Sequence, residues 1–102
     1  MTTVSNYLLN AATADTVGNA ICNSGGSKII QMSGVTTSGG SITLEGRLSD
    51  DLNWTTLTYG GNPAVFTDDK ILKLDFWAPS MQLRATLAGT TGVFSVSVAL
   101  FG

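Results

Sequence analysis

The chain has 102 residues and a mass of 10.6 kDa, which is the size of one domain. Its net charge is −2 with five basic residues, so the clustered Lys and Arg of a nucleic-acid interface are missing. The absence of histidine excludes Ser-His-Asp triads, His-ligated metals and His-based pH switches. Hydrophobic residues make up 43% of the chain, so it is not a disordered tail.

Several other classes are excluded by single features. The lone cysteine, Cys22, cannot form an internal disulfide, and it is expected to be a small buried residue. The start, MTTVSNYLLNAATA, lacks a basic region and a long apolar run, so no signal peptide is expected. No apolar stretch approaches the roughly 20 residues of a membrane span, so no membrane partner is expected.

The N-terminal half predicts a series of short strands. Residues 4–9 (VSNYLL) and 19–23 (NAICN) are weak strand candidates, and 28–33 (KIIQMS) alternates more clearly. Residues 41–48 (SITLEGRL) place Ile42, Leu44 and Leu48 on one face of a strand. Together, Gly, Ser and Thr make up 36 of the 102 residues, a composition that favours turns and strands over helices.

The C-terminal half continues this rhythm. Residues 53–58 predict another strand, and 71–76 predict one for which a short helix within 64–78 is the alternative, because that stretch lacks Gly and Pro. Residues 81–88 and 93–101 alternate strongly, and the turn at 88–92 is expected to join them as a tight hairpin.

The pattern as a whole predicts an all-β fold over residues 1–102. Seven or eight strands, with a turn every 8–12 residues, indicate a single antiparallel β-sandwich or jelly-roll-like barrel with essentially no helix. The residues predicted to point inward are Ile30, Ile42, Leu44, Trp54, Leu74, Leu83, Leu87, Val96, Val98 and Leu100.

Catalytic and metal-binding patterns are weak. The pairs Asp50–Asp51 and Asp68–Asp69 could bind Ca²⁺, but they lack EF-hand spacing and are typical of polar turns. Glu45 and Arg84 are expected on the outer faces of two strands, where a cross-strand ion pair would be structural. No nucleophile motif or phosphate-binding loop occurs, so we expect no enzyme activity, no catalytic residue, no metal and no cofactor.

Partner-binding candidates lie at the N-terminus and near a strand end. Asp15 is the one charged residue in 1–27, so the run through Tyr7, Leu8 and Leu9 is poorly explained as a solvated tail. Residues 1–12 are therefore a candidate binding arm, and an edge strand of the chain's own sandwich is the alternative. Trp77 beside Pro79 is the better candidate for an exposed aromatic, whereas Trp54 is expected in the core.

The segments TLEGRLSDDLNW, FTDDKILKLDF and LRATLAGTTGVFSVSVAL occur in an order that resembles small virion proteins of tailed bacteriophages. The upstream segments LLNAATADTVGNAI and GGSKIIQMSG are similar too. The chain departs from the family pattern at 50–52, where Asp-Asp-Leu replaces the usual Asp-Gly, so the tight Asp-Gly hairpin is not expected there.

The resemblance implies a head decoration (cement) protein, a head-fibre base or a tail accessory protein. It further implies the phage major capsid protein as partner, self-association into a homotrimer, manufacture in the host cytoplasm and a place on the virion surface. No catalytic or ligand residue is implied, because the family is structural. The alternative is a carbohydrate- or receptor-binding sandwich of the head fibre or tail, which requires exposed aromatics beside polar groups.

Overall fold

Alternating apolar and polar side chains build the long strands of the molecule, as the sequence predicts. The computed structural model describes residues 6–22, 28–75 and 80–102. In these ranges the first strands are β1 (Asn6–Ala12), β2 (Thr16–Val17), β3 (Ile21–Cys22), β4 (Ile29–Ser33), β5 (Ser41–Arg47) and β6 (Thr55–Thr56). The remaining strands are β7 (Thr58–Tyr59), β8 (Asn62–Pro63), β9 (Val65–Phe66), β10 (Ile71–Lys73), β11 (Gln82–Ala88) and β12 (Val96–Phe101).

Two antiparallel sheets pack together and confirm the predicted all-β sandwich. Sheet A has the strand order β1-β12-β4-β10. In sheet B, β11 and β5 are central, β2 and β3 pair with β11, and β6 and β9 pair with β5. The short segments of sheet B therefore share two edge positions, which gives each sheet four positions. The strands β7 and β8 form a separate hairpin.

The interior is one cluster of buried hydrophobic side chains drawn from both sheets. Nine of the ten residues predicted to point inward are buried, and Trp54 is the exception. Leu48 was also expected on the inward face of its strand, but 67% of it is exposed, because β5 ends at Arg47. Gly46 holds the last inward position of β5, and a Cβ there would lie 3.0 Å from a Leu57 methyl carbon.

Two local predictions are wrong. Residues 88–92 do not form a hairpin, because β11 belongs to sheet B whereas β12 belongs to sheet A. This connection is held by Asp15, which accepts hydrogen bonds from the Thr90 hydroxyl and from the amides of Thr90 and Gly89. These bonds, led by that of the Thr90 side chain, lower the pKa of the Asp15 carboxyl. Cys22 is exposed, because it ends a two-residue edge segment in which Ile21 packs against the core.

Helix plays little part in the described residues. Over 71–75 the chain forms the short strand β10 and a turn, so the strand interpretation holds there and the helix alternative does not. One helical turn, α1 (Val35–Ser38), was not predicted. The Asp69 carboxylate caps it by accepting hydrogen bonds from the amides of Val35 (2.7 Å) and Thr36 (3.3 Å). No helix in the described ranges is long and apolar enough to cross a membrane.

Backbone bonds at Gly18 and Asn19 join the two sheets along one side of the sandwich. The Gly18 amide donates to the Ala85 carbonyl of sheet B (2.8 Å), and the Asn19 amide donates to the Leu8 carbonyl of sheet A (2.9 Å). We call this pair of bonds the seam. A Cβ on Gly18 would overlap the Leu8 carbonyl oxygen and lie 2.7 Å from that of Ala85. Only glycine fits this position.

The seam yields a stability prediction. Gly18→Ala should lower the free energy of unfolding by about 3 kcal/mol or more, because two backbone strands must move apart to admit the methyl group. Gly92→Ala is the control, since Gly92 has a φ of 78° but open space around its Cβ position. It should cost only about 1 kcal/mol of left-handed strain. Urea denaturation measures both variants, and equal losses would contradict the proposed clash.

Candidate functional site

The predicted binding arm is largely a strand of the sandwich itself. From Asn6 onward it forms β1, which pairs with β12 at the edge of sheet A. Leu8 and Leu9 are both buried in the core, so neither side chain is available to a partner in this fold. The edge-strand alternative thus describes residues 6–12. Residues 1–5 and Trp77 lie outside the described residues.

Tyr7 alone among the described candidates faces outward. It is half-buried and stands opposite Ala99, whose neighbours Val98 and Leu100 point into the core. The register of sheet A places further side chains on the same outer surface. We call this surface the apolar face. It consists of one row of Tyr7, Ala99, Gln31 and Ile71 and a second row of Phe101, Ile29 and Lys73. A polar pair on the same side of the sheet, Ser97 and Ser33, borders it.

The outer surface of sheet B is charged instead. Glu45 stands opposite Arg84 and accepts a hydrogen bond from its Nε at 3.1 Å, which confirms the predicted cross-strand pair. The Thr86 hydroxyl donates to the same carboxylate oxygen at 2.7 Å. On the neighbouring pair, the Arg47 Nε donates to the Gln82 side-chain oxygen at 2.9 Å. This network ties β5 to β11 and gives the surface a fixed polar pattern.

Trp54 covers this charged surface and is not a core residue. Its ring centroid lies 4.4 Å from the guanidinium carbons of both Arg47 and Arg84. The residue is half-buried, since it sits in the loop before β6 and packs on the outside of the sheet. Strand alternation in the sequence already predicts that both arginines point outward. Their guanidinium groups can form cation–π contacts with an indole ring, and the apolar core has no such groups to offer.

The contacts of Trp54 predict a measurable contribution to stability. Trp54→Ala should lower the free energy of unfolding by about 1–3 kcal/mol, because two cation–π contacts and the ring's partial burial are lost. Leu52→Ala, in the same loop but exposed, should change it by less than about 0.5 kcal/mol. Thermal and urea denaturation of both variants provide the comparison. A Trp54→Ala protein as stable as Leu52→Ala would show that the stacking contributes nothing.

A third surface lies on the side of the sandwich where β9 and β10, the edges of the two sheets, come close together. Two cavities of about 550 Å³ and 480 Å³ open there, and Tyr59 of the β7–β8 hairpin lines both. We call them together the Tyr59 groove. Its polar and charged lining includes Asn62, Thr67, Asp68, Lys70, Lys73 and Asp75. The sequence offers Tyr59 as one of several aromatics that could stack on a sugar if exposed, but it favours Trp77, since only the fold shows what surrounds Tyr59.

The acidic pairs have structural roles wherever the structure gives them contacts. Asp50 accepts a hydrogen bond from the Gln82 amide (2.5 Å) and is 3.4 Å from Arg47, while Asp69 caps α1. Across the described ranges, no group of three or more His, Cys, Asp or Glu residues is placed to hold a metal ion. No protein-family model matches the chain, and neither does any curated protein or solved structure.

Proposed function

We propose that the chain is a structural protein of a bacteriophage virion, a capsid decoration protein that binds the assembled head and stabilises it. The observation that carries the proposal is the contrast between the two outer surfaces of the sandwich. The apolar face exposes Ile71 (68%) and Ile29 to solvent, and its charged member, Lys73, lies on an edge strand and pairs with Asp75. The opposite surface is a network of charged side chains.

Such a two-faced sandwich suits a protein that lies between a lattice and water. The apolar face contacts the capsid, and the charged surface faces the solvent. Binding only to assembled capsid stabilises the shell by mass action, because dissociated subunits offer no complete site. The motif resemblance to phage virion proteins supports the same assignment. It also supports a homotrimer, in which three modest contacts give a tight overall attachment.

We place the proposed capsid contact on the apolar face and not on an N-terminal arm, because Leu8 and Leu9 are buried in the core. Tyr7 remains part of that contact, as it lies in the first row of the face. Edge strand β1 is a poor template for strand addition, because its pairing is interrupted by register shifts between Tyr7 and Leu9 and between Leu9 and Ala12.

Co-sedimentation with phage heads tests the proposal. Heads from the phage that encodes the chain, made without its gene, are mixed with purified protein and pelleted. The unaltered protein should pellet with heads, and the double variant Ile29→Asp/Ile71→Asp should not, because two charges would enter the contact. Val93→Asp, at a position 97% exposed and outside the apolar face, should still pellet.

The results separate each part of the proposal. Failure of the unaltered protein to pellet overturns the decoration role, and pelleting of the double variant overturns the role of the apolar face. A sedimentation-equilibrium mass three times that of the chain supports the homotrimer, whereas a monomer mass overturns it. Melting curves of all variants must match that of the unaltered protein for the comparison to hold.

A further inference from the structure

The Tyr59 groove borders the apolar face, with which it shares Ile71 and Lys73, and its aromatic wall is held in place. Tyr59 meets Phe66 edge-to-face, with ring centroids 5.7 Å apart and planes at 71°. Phe66 in turn packs against the core. The Tyr59 residue nevertheless remains 38% exposed. The ring is therefore both accessible and restrained, which lowers the entropy lost when a ligand packs on it.

The hairpin that carries Tyr59 is anchored to the centre of sheet B. Leu57 donates its amide hydrogen to the Leu44 carbonyl of β5 (2.9 Å), and Ala64 donates to the Leu57 carbonyl (2.8 Å). Leu44 donates to the Ala64 carbonyl (2.9 Å), which closes a triangle of backbone bonds at the hairpin base. Its tip turns through Gly60 and Gly61, both with positive φ. The groove therefore has a wall of fixed position.

Hydrogen-bonding groups surround the ring. Asp68 and Lys70 line the larger cavity with Asn62, and throughout the described residues neither the Asp68 carboxylate nor the Lys70 ammonium has a hydrogen bond or ion pair. In the adjoining cavity Lys73 pairs with Asp75 at 3.8 Å. Two acidic and two basic groups balance, so the groove carries no net charge. This favours a neutral ligand over an anionic or cationic one.

We infer that the Tyr59 groove binds a neutral oligosaccharide. A sugar presents an apolar C–H surface, which packs on the Tyr59 ring, and hydroxyl groups, which reach Asp68, Lys70 and Asn62. A carboxylate accepts from a sugar hydroxyl while an ammonium donates to its neighbour, so the two unpaired side chains match a diol. Both cavities fall within the roughly 300–1,000 Å³ of small-molecule sites, and their adjacency accommodates more than one sugar unit.

This activity goes beyond capsid attachment and uses the β7–β8 hairpin and the loop that carries Asp68 and Lys70. The groove borders the apolar face, since Ile71 lines its larger cavity and Lys73 its smaller one. The variant that separates the two activities is therefore Tyr59→Ala, because Tyr59 lies outside the apolar face.

Affinity electrophoresis tests the inference. The purified protein is run through native gels containing mannan, dextran, galactan or β-1,3-glucan, with polygalacturonate as the anionic comparison. At least one neutral polymer should retard the protein. Tyr59→Ala should weaken that retardation tenfold or more, whereas Tyr59→Trp, which keeps an aromatic surface, should retain it. Asp68→Asn should weaken it several-fold, and Asn10→Ala, exposed on β1 and outside the groove, should not change it.

Each remaining outcome counts against the inference. No retardation by any neutral polymer, equal retardation of Tyr59→Ala, or retardation by polygalacturonate alone would overturn it. If Tyr59→Ala does not fold, Asp68→Ala and Asn62→Ala serve in its place, since both positions are exposed. Head co-sedimentation by Tyr59→Ala should be unchanged, so failure of sugar binding is distinguishable from failure of the decoration role.

Discussion

Val98→Asp is expected to abolish soluble, folded protein. Val98 is fully buried in β12, where it stands between Leu9 of β1 and Met32 of β4. A carboxylate there has no partner among these apolar neighbours, so it must either remain charged in the core or fold protonated at high cost. We expect a loss of about 4 kcal/mol or more, comparable with the whole stability of a domain this small.

Leu44→Asp should be equally damaging, and it has a matched control on the same chain segment. Leu44 is fully buried in β5, whereas Leu48, four residues later, is 67% exposed. Strict alternation from the sequence would place both inward, so Leu48→Asp separates the observed fold from the simple pattern. The structure predicts normal soluble yield and an unfolding midpoint near that of the unaltered protein for Leu48→Asp. Insolubility of this variant, or normal behaviour of Val98→Asp, would contradict the assigned faces.

Deleting residues 2–9 should unfold the protein. The deletion removes most of β1, exposes the edge of β12 and takes Leu8 and Leu9 out of the core. Leu8→Ala alone should lower the free energy of unfolding by about 2–5 kcal/mol, because it leaves a cavity at a fully buried site. Asn10→Ala, on the exposed side of the same strand, should change it by less than about 0.5 kcal/mol.

Circular dichroism and urea titration of the truncated chain distinguish strand from arm. Loss of the cooperative unfolding transition identifies β1 as part of the sandwich. A truncated chain that melts normally and yet no longer pellets with heads would restore the N-terminal arm as the capsid footing. It would then also contradict the pairing of Asn6 with Leu100 and the burial of Leu8.

Much of the fold follows from period-two alternation, because β5, β11 and β12 each alternate buried residues with half-buried ones along nearly their whole length. Alternation fails where the backbone departs from regular pairing. Leu8 and Leu9 are consecutive and both buried, which a regular strand does not allow, and a register shift between Tyr7 and Leu9 makes it possible. A shift of this kind leaves no signature in a weak seven-residue pattern.

The sequence also could not predict which strands belong to the same sheet. The glycine-rich turn at 88–92 has the sequence of a hairpin turn. The strands on either side of it, β11 and β12, nevertheless belong to different sheets, and this follows only from how the two sheets pack. The Tyr59 groove could not be predicted from the sequence either. It brings the hairpin next to Lys70 and Lys73 through the meeting of two sheet edges, and no spacing along the chain encodes that proximity.

The pairing of the first described strand with the last has a consequence for biosynthesis. Strand β1 leaves the ribosome early, but its partner β12 is made some ninety residues later, with Asn6 ultimately facing Leu100. Until residues 96–101 are synthesised, the apolar side chains of Leu8 and Leu9 have no sheet to join. Folding must therefore follow translation of nearly the whole segment, and long-range closure of this type is slow. Early strands left unpaired in this way are sites of aggregation, so we expect yields of soluble protein to rise when expression is slowed at low temperature.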